Sequence, residues 1–461
     1  MKPVRIILGI VFAALCAYGA HYAGFDRPIT ATIAITALTA FWWVSEALPI
    51  PVTSLVPFAL FPLAGVLDQQ QAAAALGSYV IILLMASFML SKALERSGAH
   101  ERLALMMINL VGRSGRRLVL GFMLAAALLS MWISNTATTL MLATMALAII
   151  ARADNKKLAV PLLLGIAFAA SVGGTATLIG TPPNLIFADN YFKISGSEYS
   201  FARWMMVGLP IVAMSVPIMG LWLTRSLGAV DAPQLRDPGP WRIDEKRTLI
   251  VFAIAIFLWV TRAEPFGGWS GLLGITEAGD STVAVIAVIL MFLTPNGKGS
   301  ALLDWQTARD IPWGMLLLFA GGICIASGFR ASGLDLVIGD GLRQFADGPV
   351  FQMLISLTLS VTFLTEMTSN TATANLLMPI LAAVANNIGT DPALLMVPAV
   401  ISSSCAFMLP VATAPNAIVY GTGYVSIARM AREGFILNII IAVIVSSVVY
   451  VMLGPGLPAI S

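Results

Sequence analysis

The sequence predicts an all-α polytopic membrane protein that crosses the bilayer about eleven times and contains two copies of one unit. Hydrophobic residues make up 58% of the 461 residues and charged residues only 11%, whereas soluble domains have roughly 45–50% and 25%. Apolar windows of about 20 residues, the length that spans a bilayer, recur from end to end. The run Ser-Asn-Thr-Ala-Thr occurs at 134–138 and again at 369–373, and the similar clusters at 95–98 and 330–333 are separated by the same offset.

Eleven apolar segments are predicted to span the membrane. They lie at 4–24, 29–47, 51–67, 76–96, 159–181, 204–225, 246–262, 281–294, 312–329, 393–411 and 434–454. The first contains Arg5, lies beside Lys2 and has some features of a secretory signal peptide. We interpret it as a transmembrane helix, because the distribution of basic residues is consistent only if it is retained.

Two longer segments, 117–150 and 350–387, each carry one Ser-Asn-Thr run near their middle. A straight helix of about 35 residues would overshoot the bilayer at 1.5 Å per residue. Non-helical backbone is tolerated at membrane depth only where protein or a cavity surrounds it. We therefore predict two re-entrant hairpins with the polar runs at their tips; two ordinary helices joined by a loop in water are the alternative.

The basic residues predict the orientation of the chain. With the N-terminus in the cytoplasm, twenty Lys and Arg residues fall on inner loops and six on outer loops, as the positive-inside rule requires. Eleven crossings then place the C-terminus outside. The two hairpins enter from opposite sides, so the repeats are predicted to be inverted in a multi-pass protein of the plasma (inner) membrane.

Two further polar runs follow the hairpins, Gly180-Thr-Pro-Pro-Asn184 and Ala412-Thr-Ala-Pro-Asn416. Gly and Pro break helices, and broken helices at mid-membrane expose N–H groups at one end and C=O groups at the other. The N–H ends suit an anion such as a carboxylate or sulfate. Carbonyl, Ser, Thr and Asn oxygens suit Na⁺.

No Lys or Arg occurs in the four polar runs. A helix N-terminus contributes about half a positive charge, so two of them leave a bound dianion short of neutral. Bound cations have to supply the rest, and the sequence therefore predicts that anion binding depends on the cation.

Packing is the alternative role for each polar run taken singly, because Ser, Thr and Asn also join neighbouring transmembrane helices. Glu366, beside the second Ser-Asn-Thr run, is a carboxylate that we place within the membrane. Such groups are often functional, but Glu366 is equally interpreted as a structural acceptor for the hairpin backbone.

Other classes of protein are disfavoured. Cys16, Cys324 and Cys405 lie in apolar runs and predict neither disulfides nor a cysteine metal site, and His21 and His100 are isolated. Without a catalytic dyad or metal-ligand spacing we expect no enzyme. An anion channel is a further alternative, although a pore does not need an inverted repeat. The net charge of +3 does not indicate a nucleic-acid partner.

The paired Ser-Asn-Thr runs, the two Pro-Asn runs and the early segment Trp42–Pro51 resemble the divalent anion:sodium symporter family. This family includes bacterial dicarboxylate transporters and animal carriers of citrate and dicarboxylates, and the resemblance covers nearly the whole chain. It implies a homodimer that works by an elevator movement and couples Na⁺ influx to uptake of a C4-dicarboxylate such as succinate, malate or fumarate. A citrate or sulfate transporter of the same fold is the alternative.

The resemblance also implies which residues bind. One Na⁺ site would use Ser130, Ser134, Asn135 and Gly180, and the other Thr365, Thr368, Asn370 and Ala412. The substrate would contact Ser134, Asn135, Thr136 and Thr181 of the first repeat and Ser369, Asn370, Thr371 and Thr413 of the second. The second Pro-Asn run departs from the family pattern, because Ala414 stands where Pro is common.

A division of each repeat into a scaffold part and a transport part is implied as well. The scaffold parts would be residues 1–113 and 228–348. The transport parts would be residues 114–227, with the hairpin 117–150 and a broken helix at 159–190, and residues 349–461, with the hairpin 350–387 and a broken helix at 393–422. The amphipathic segments 99–111 and 334–346 are predicted to be interfacial helices that link the two parts.

Overall fold

The computed structural model describes residues 2–112, 115–151, 156–227, 239–263, 267–342 and 349–454. Within these ranges the regular structure is helical, apart from an isolated β-bridge between Pro295 and Ala301, which confirms the all-α fold class. The predicted part boundaries at 113/114, 227/228 and 348/349 lie beside or within stretches outside the described residues. The end of the predicted interfacial segment, 343–346, and the C-terminal residues 455–461 also lie outside them.

The first repeat begins with seven helices. They are α1 (Lys2–Tyr22), α2 (Arg27–Ser45), α3 (Ile50–Thr53), α4 (Val56–Ala64), α5 (Gln69–Ala74), α6 (Tyr79–Ser97) and α7 (Ala99–Val111). The span predicted at 51–67 is divided into α3 and α4, because Pro51 and Pro57 each stand in the first turn of a new helix, where the missing N–H is harmless. Helix α7 has the bounds predicted for the first interfacial helix.

Five helices complete the first repeat. They are α8 (Gly115–Ser130), α9 (Asn135–Ile150), α10 (Ala159–Gly173), α11 (Pro182–Ser195) and α12 (Phe201–Leu223). Helices α8 and α9 pack on each other and are joined by a short turn, 131–134. Between α10 and α11 lies a short 3-10 turn, Gly174–Ala176, followed by non-helical residues as far as Thr181.

Among the described residues, the second repeat has six helices before its hairpin, one fewer than the first, and the same order of elements from the hairpin onward. Its first helices are α13 (Ile243–Val260), α14 (Gly268–Leu272), α15 (Asp280–Leu293), α16 (Trp305–Ala308), α17 (Trp313–Ser332) and α18 (Leu334–Leu342). They are followed by the hairpin α19 (Val350–Thr365) and α20 (Asn370–Asn387), the broken pair α21 (Ala393–Ser403) and α22 (Ala414–Gly421), and α23 (Ile427–Leu453).

Within the described ranges, seven helices are long and apolar enough to cross a bilayer. They correspond to seven of the eleven predicted spans, those of α1, α2, α6, α10, α12, α17 and α23. The remaining four spans correspond to α3–α4, α13, α15 and α21. The chain is therefore a multi-pass membrane protein.

Helices of the two repeats pack against each other. Helices α2 and α4 contact α17, and α6 and α13 contact α15. Helix α8 packs on α7, α10 and α12, and α19 packs on α21 and α23. Of these seven helices, α10 is the most buried, with 94% of its apolar window buried, against 17% for α1; the exposed apolar face of α1 fits contact with lipid. Helices α10 and α21, the first halves of the two broken pairs, are almost entirely buried.

A buried ion pair joins the two repeats. The Nε of Arg102 on α7 lies 2.9 Å from Oε2 of Glu245 on α13, and both side chains are buried. Arg102 also donates to the carbonyls of Gly239 and Pro240. This contact fixes α7, which leads into the first hairpin, to the start of the second repeat.

Candidate functional site

The two hairpin tips have the same construction. Helix α8 ends at Ser130, whose hydroxyl donates to Oδ1 of Asn135 at 2.5 Å. Helix α19 ends at Thr365, whose hydroxyl donates to Oδ1 of Asn370 at 2.7 Å. In each hairpin the last residue of one helix therefore fixes the amide oxygen of the first residue of the next.

The break between α10 and α11 is also fixed by an asparagine. Nδ2 of Asn184 donates to the carbonyl of Gly174 at 3.1 Å and to that of Thr177 at 2.7 Å. Asn184 is fully buried, so its amide replaces helical hydrogen bonds that the broken backbone lacks.

The break between α21 and α22 repeats this arrangement. Nδ2 of Asn416 donates to the carbonyls of Ala406 and Leu409, each at 3.0 Å. These three positions follow their counterparts in the first break at one constant offset in the sequence. The internal repeat seen in the sequence is thus also a repeat of hydrogen bonds.

Both tips and both breaks meet at one cavity of about 580 Å³. The cavity is also lined by Glu46, which follows α2, by Ser87 and Ser91 of α6 and by Met315 of α17. The residues predicted to contact substrate all line it: Ser134, Asn135, Thr136, Thr181, Ser369, Asn370, Thr371 and Thr413. The structure therefore brings together, from both repeats, the polar runs that the sequence singled out.

The residues predicted to bind Na⁺ form a layer that is partly behind the cavity. Five of them line the cavity: Ser134, Asn135, Gly180, Asn370 and Ala412. Ser130 and Thr365 are fully buried behind the tips and reach the site through their hydrogen bonds to the two asparagines. Thr368 bonds within its own hairpin, to the carbonyl of Leu364 and the hydroxyl of Thr373.

Oxygen atoms converge around Gly174 at the first break. A Cβ built on Gly174 would lie 2.8 Å from Oδ1 of Asn135 and 3.0 Å from the carbonyl oxygen of Gly180. Amide and carbonyl oxygens are the ligands that hard cations prefer. This convergence fits the first predicted Na⁺ site.

At the second break, oxygen atoms converge around the hydroxyl of Thr365. Its hydroxyl lies 2.8 Å from the carbonyl oxygen of Ser403, at the end of α21, and 2.7 Å from Oδ1 of Asn370. Ala412 is buried beside the cavity. These contacts join hairpin and break around the second predicted Na⁺ site.

Four helix N-termini face the cavity, twice the number assumed from the sequence. The first residues of α9, α11, α20 and α22 all line it, and each end carries about half a positive charge. However, α11 and α22 have Pro in their first turn, which removes N–H donors. The ends of α9 and α20, which carry the Ser-Asn-Thr runs, are thus the better donors to an anion.

Glu46 also belongs to the site, although the sequence does not single it out within the segment Trp42–Pro51. Among the described residues that line the cavity, it alone carries a charge. It ends α2 with φ 48°, and no other described residue except glycines has positive φ; this conformation costs a non-glycine residue stability. In the sequence, the one indication of this role is that Glu46 is a carboxylate at the end of an apolar segment.

Glu366 lies outside the cavity lining. Its carboxylate is buried, with the residue 3% exposed, and accepts backbone N–H groups of Phe407, Met408 and Leu409. These contacts favour the interpretation of Glu366 as an acceptor for backbone groups.

Residues 40–397 match the family described as citrate transporter, CitMHS. The chain is 39% identical to the sodium-dependent dicarboxylate transporter SdcS of Staphylococcus saprophyticus over 450 residues, which cover 92% of this chain and 86% of that protein. It is also 39% identical to SdcS of Staphylococcus aureus strain NCTC 8325, over 91% of this chain and 85% of that one.

Among solved structures, the chain is similar to the YdaH transporter of Alcanivorax borkumensis. The TM-score is 0.55 at 15% sequence identity, and the match covers 84% of this chain and 88% of that one. At this identity the likeness concerns the fold alone.

Proposed function

The chain belongs to the citrate transporter family, as the resemblance to divalent anion:sodium symporters implied, and we propose that it is a secondary active symporter that couples Na⁺ influx to uptake of a C4-dicarboxylate. Membership of this family makes it a membrane transporter and not an enzyme. The curated relatives named as sodium-dependent dicarboxylate transporters support both the cation and the substrate class.

The observation that carries the proposal is the doubled site. Two asparagine amide oxygens, each fixed by a hydroxyl, lie beside two helix breaks that offer carbonyl oxygens. Two similar groups of hard oxygen ligands support two Na⁺ sites, one in each repeat, with the residues implied by the family resemblance.

The charges of the cavity support coupling. No described residue lining it is basic. Four helix ends at about half a charge each would at most match a dianion, and the carboxylate of Glu46, which also lines the cavity, opposes the anion. Two bound Na⁺ ions remove this deficit, so we infer that the dianion binds well only when the cations are present.

The arrangement of the two tips favours a dicarboxylate over sulfate. Ser-Asn-Thr runs of both repeats line the same cavity, and each run begins a helix. Two helix ends suit two carboxylates joined by a short chain, whereas sulfate presents one compact anionic group. Citrate remains the second candidate, because the matched family is described as citrate transporters.

The elevator movement and the assembly are also part of the proposal. We assign residues 1–113 and 228–348 as scaffold parts and residues 114–227 and 349–461 as transport parts, and residues of both parts line the cavity. Polar contacts join them: the hydroxyl of Ser78 donates to Asp189 at 2.8 Å, and Arg330 donates to the carbonyl of Lys193 at 3.0 Å. Such contacts would have to break when the transport part moves.

By the charge distribution and the resemblance, we place the protein in the inner membrane as a homodimer. Its N-terminus would be cytoplasmic, its C-terminus outside and its repeats inverted. The amphipathic helices α7 and α18 would connect the moving part to the scaffold.

Uptake of radiolabelled succinate into proteoliposomes tests the proposed function. We expect uptake only with an inward Na⁺ gradient, inhibited by excess malate or fumarate and little affected by sulfate. Uptake driven equally by K⁺ would contradict Na⁺ coupling. Inhibition by citrate far below the inhibiting concentration of malate would favour the citrate alternative.

A further inference from the structure

Glu366 forms an unusual set of hydrogen bonds at the start of the turn in the second hairpin. Its Oε1 accepts the N–H of Phe407 at 2.6 Å and that of Met408 at 2.9 Å, and its Oε2 accepts that of Leu409 at 3.1 Å. These three residues belong to the broken segment between α21 and α22. One carboxylate thus satisfies three consecutive donors that the broken helix leaves unpaired.

A fourth donor comes from α23. Nδ2 of Asn438, a fully buried residue, donates to Oε1 of Glu366 at 2.7 Å. Helix α23 also approaches the broken segment closely at Gly434, where an added Cβ would clash with the backbone of Phe407. Glu366 therefore ties together the hairpin, the break and α23.

The first repeat joins the same two positions by different chemistry. When the Ser-Asn-Thr runs are aligned, the position equivalent to Glu366 is Met131, and its carbonyl accepts the hydroxyl of Thr177 at 2.6 Å. Thr177 in turn is the counterpart of Leu409 when the two breaks are aligned. Because both repeats connect hairpin to break here, the connection itself is what the site requires. Only the second repeat makes it with a carboxylate.

We propose, on the basis of the proposed Na⁺-coupled function, that Glu366 is a positioning residue for the second Na⁺ site. Its neighbour Thr365 holds Asn370 on one side of that site, and the segment that Glu366 fixes continues to Ala412 on the other. Glu366 sets the distance between these two groups of oxygen ligands. Its carboxylate also places negative charge beside the second site, where the first repeat has Met131. The second site is therefore the tighter of the two.

Na⁺ binding to the purified full-length protein, measured without substrate, tests this assignment. A ligand that binds only the folded state stabilises it by an amount that rises with the logarithm of one plus the ratio of ligand concentration to Kd, so a titration of Tm against Na⁺, with K⁺ as replacement, gives a binding midpoint. Glu366→Gln keeps the size of the side chain but removes its charge. It also replaces one of the two acceptor oxygens by an NH2 donor that faces backbone N–H groups. We expect its Na⁺ midpoint to rise about tenfold, equivalent to about 1.4 kcal/mol.

Two comparisons separate positioning from general stability. Glu433→Gln removes another buried carboxylate, which pairs with Arg225 and Arg429; it should lower Tm without moving the Na⁺ midpoint. In transport, Glu366→Gln should raise the Na⁺ requirement while the KM for succinate at saturating Na⁺ stays within about twofold of wild type. A lowered Tm with an unchanged Na⁺ midpoint would overturn the proposal.

Asn438→Ala keeps the carboxylate and its three backbone donors, and it serves as the test if Glu366→Gln does not fold. We expect a folded protein whose Na⁺ midpoint is raised severalfold, and a wild-type midpoint would overturn the proposal. A wild-type protein whose Tm does not respond to Na⁺ at all would instead refute the proposed Na⁺-coupled function, and the positioning role with it.

Discussion

Replacing Gly174 with Ala adds one methyl group at the point where the first Na⁺ site is proposed. Gly174 has φ −58° and ψ −21°, a conformation that Ala adopts without strain. Any effect must therefore come from the space that the methyl group takes. That group would lie 2.8 Å from Oδ1 of Asn135 and 3.0 Å from the carbonyl oxygen of Gly180, closer than ordinary van der Waals contact.

The magnitude follows from this crowding. Inserting a methyl group into a packed interior costs about 1–3 kcal/mol. A change of about 1.4 kcal/mol corresponds to a factor of ten in binding. If the oxygen ligands move apart to relieve the contact, the cost falls on Na⁺ binding. We expect the Na⁺ midpoint of Gly174→Ala to rise roughly tenfold to a hundredfold, measured by the Na⁺ dependence of Tm and of succinate uptake.

Gly421→Ala is the matched control. A Cβ at Gly421, the last residue of α22, would meet nothing within 4 Å, and Ala is the better helix former. This variant should keep the wild-type Na⁺ midpoint. If Gly174→Ala also kept it while folding normally, the first Na⁺ site would not lie between Asn135 and Gly180.

Three further predictions address the site, the topology and the stability of the fold. Asn135→Ala should abolish Na⁺-driven uptake without unfolding the protein, because it removes the amide oxygen at the first tip; wild-type Na⁺ dependence in this variant would remove Asn135 from the cation site. Single cysteines at Ala151 and Asn386, exposed and equivalent in the two repeats, should be labelled by an impermeant reagent from the cytoplasmic and the outer side, respectively. Labelling of both from one side would contradict the inverted repeat. Glu245→Gln should lower the free energy of unfolding by about 3–5 kcal/mol, because it removes one charge of the buried Arg102–Glu245 ion pair, and an unchanged Tm would show that this pair does not stabilise the protein.

The sequence predicted the hairpins and breaks because their polar residues, Gly and Pro interrupt apolar segments. A Ser-Asn-Thr run within a segment too long for one crossing predicts a turn at membrane depth, and the equal offsets predict that it occurs twice; the structure has a turn between two helices at both places. Such a pattern is local in the sequence and does not depend on tertiary contacts. It therefore predicts the position of each tip to within about a turn of helix.

What the sequence could not predict depends on contacts between distant residues. The four donors to Glu366 come from 41 to 72 residues further along the chain, and no local pattern connects them. The place of Glu46 in the cavity depends on how α2 packs against α17. The number of helix N-termini at the cavity also follows from packing, because the starts of α11 and α22 become part of the site only when the two repeats meet.

Equilibrium binding of succinate to the purified protein, with and without Na⁺, tests the central claim most directly. The cavity has no basic residue among its described lining, so the bound dianion depends on the cations for its neutralisation. One cation–carboxylate contact at 4 Å contributes about 4 kcal/mol at an effective dielectric constant of about 20, close to a thousandfold in affinity. Replacing Na⁺ with K⁺ at constant ionic strength should therefore weaken succinate binding at least about a hundredfold. Equally tight binding in the two solutions would show that the protein neutralises its substrate without Na⁺ and would contradict the coupling inferred from the site.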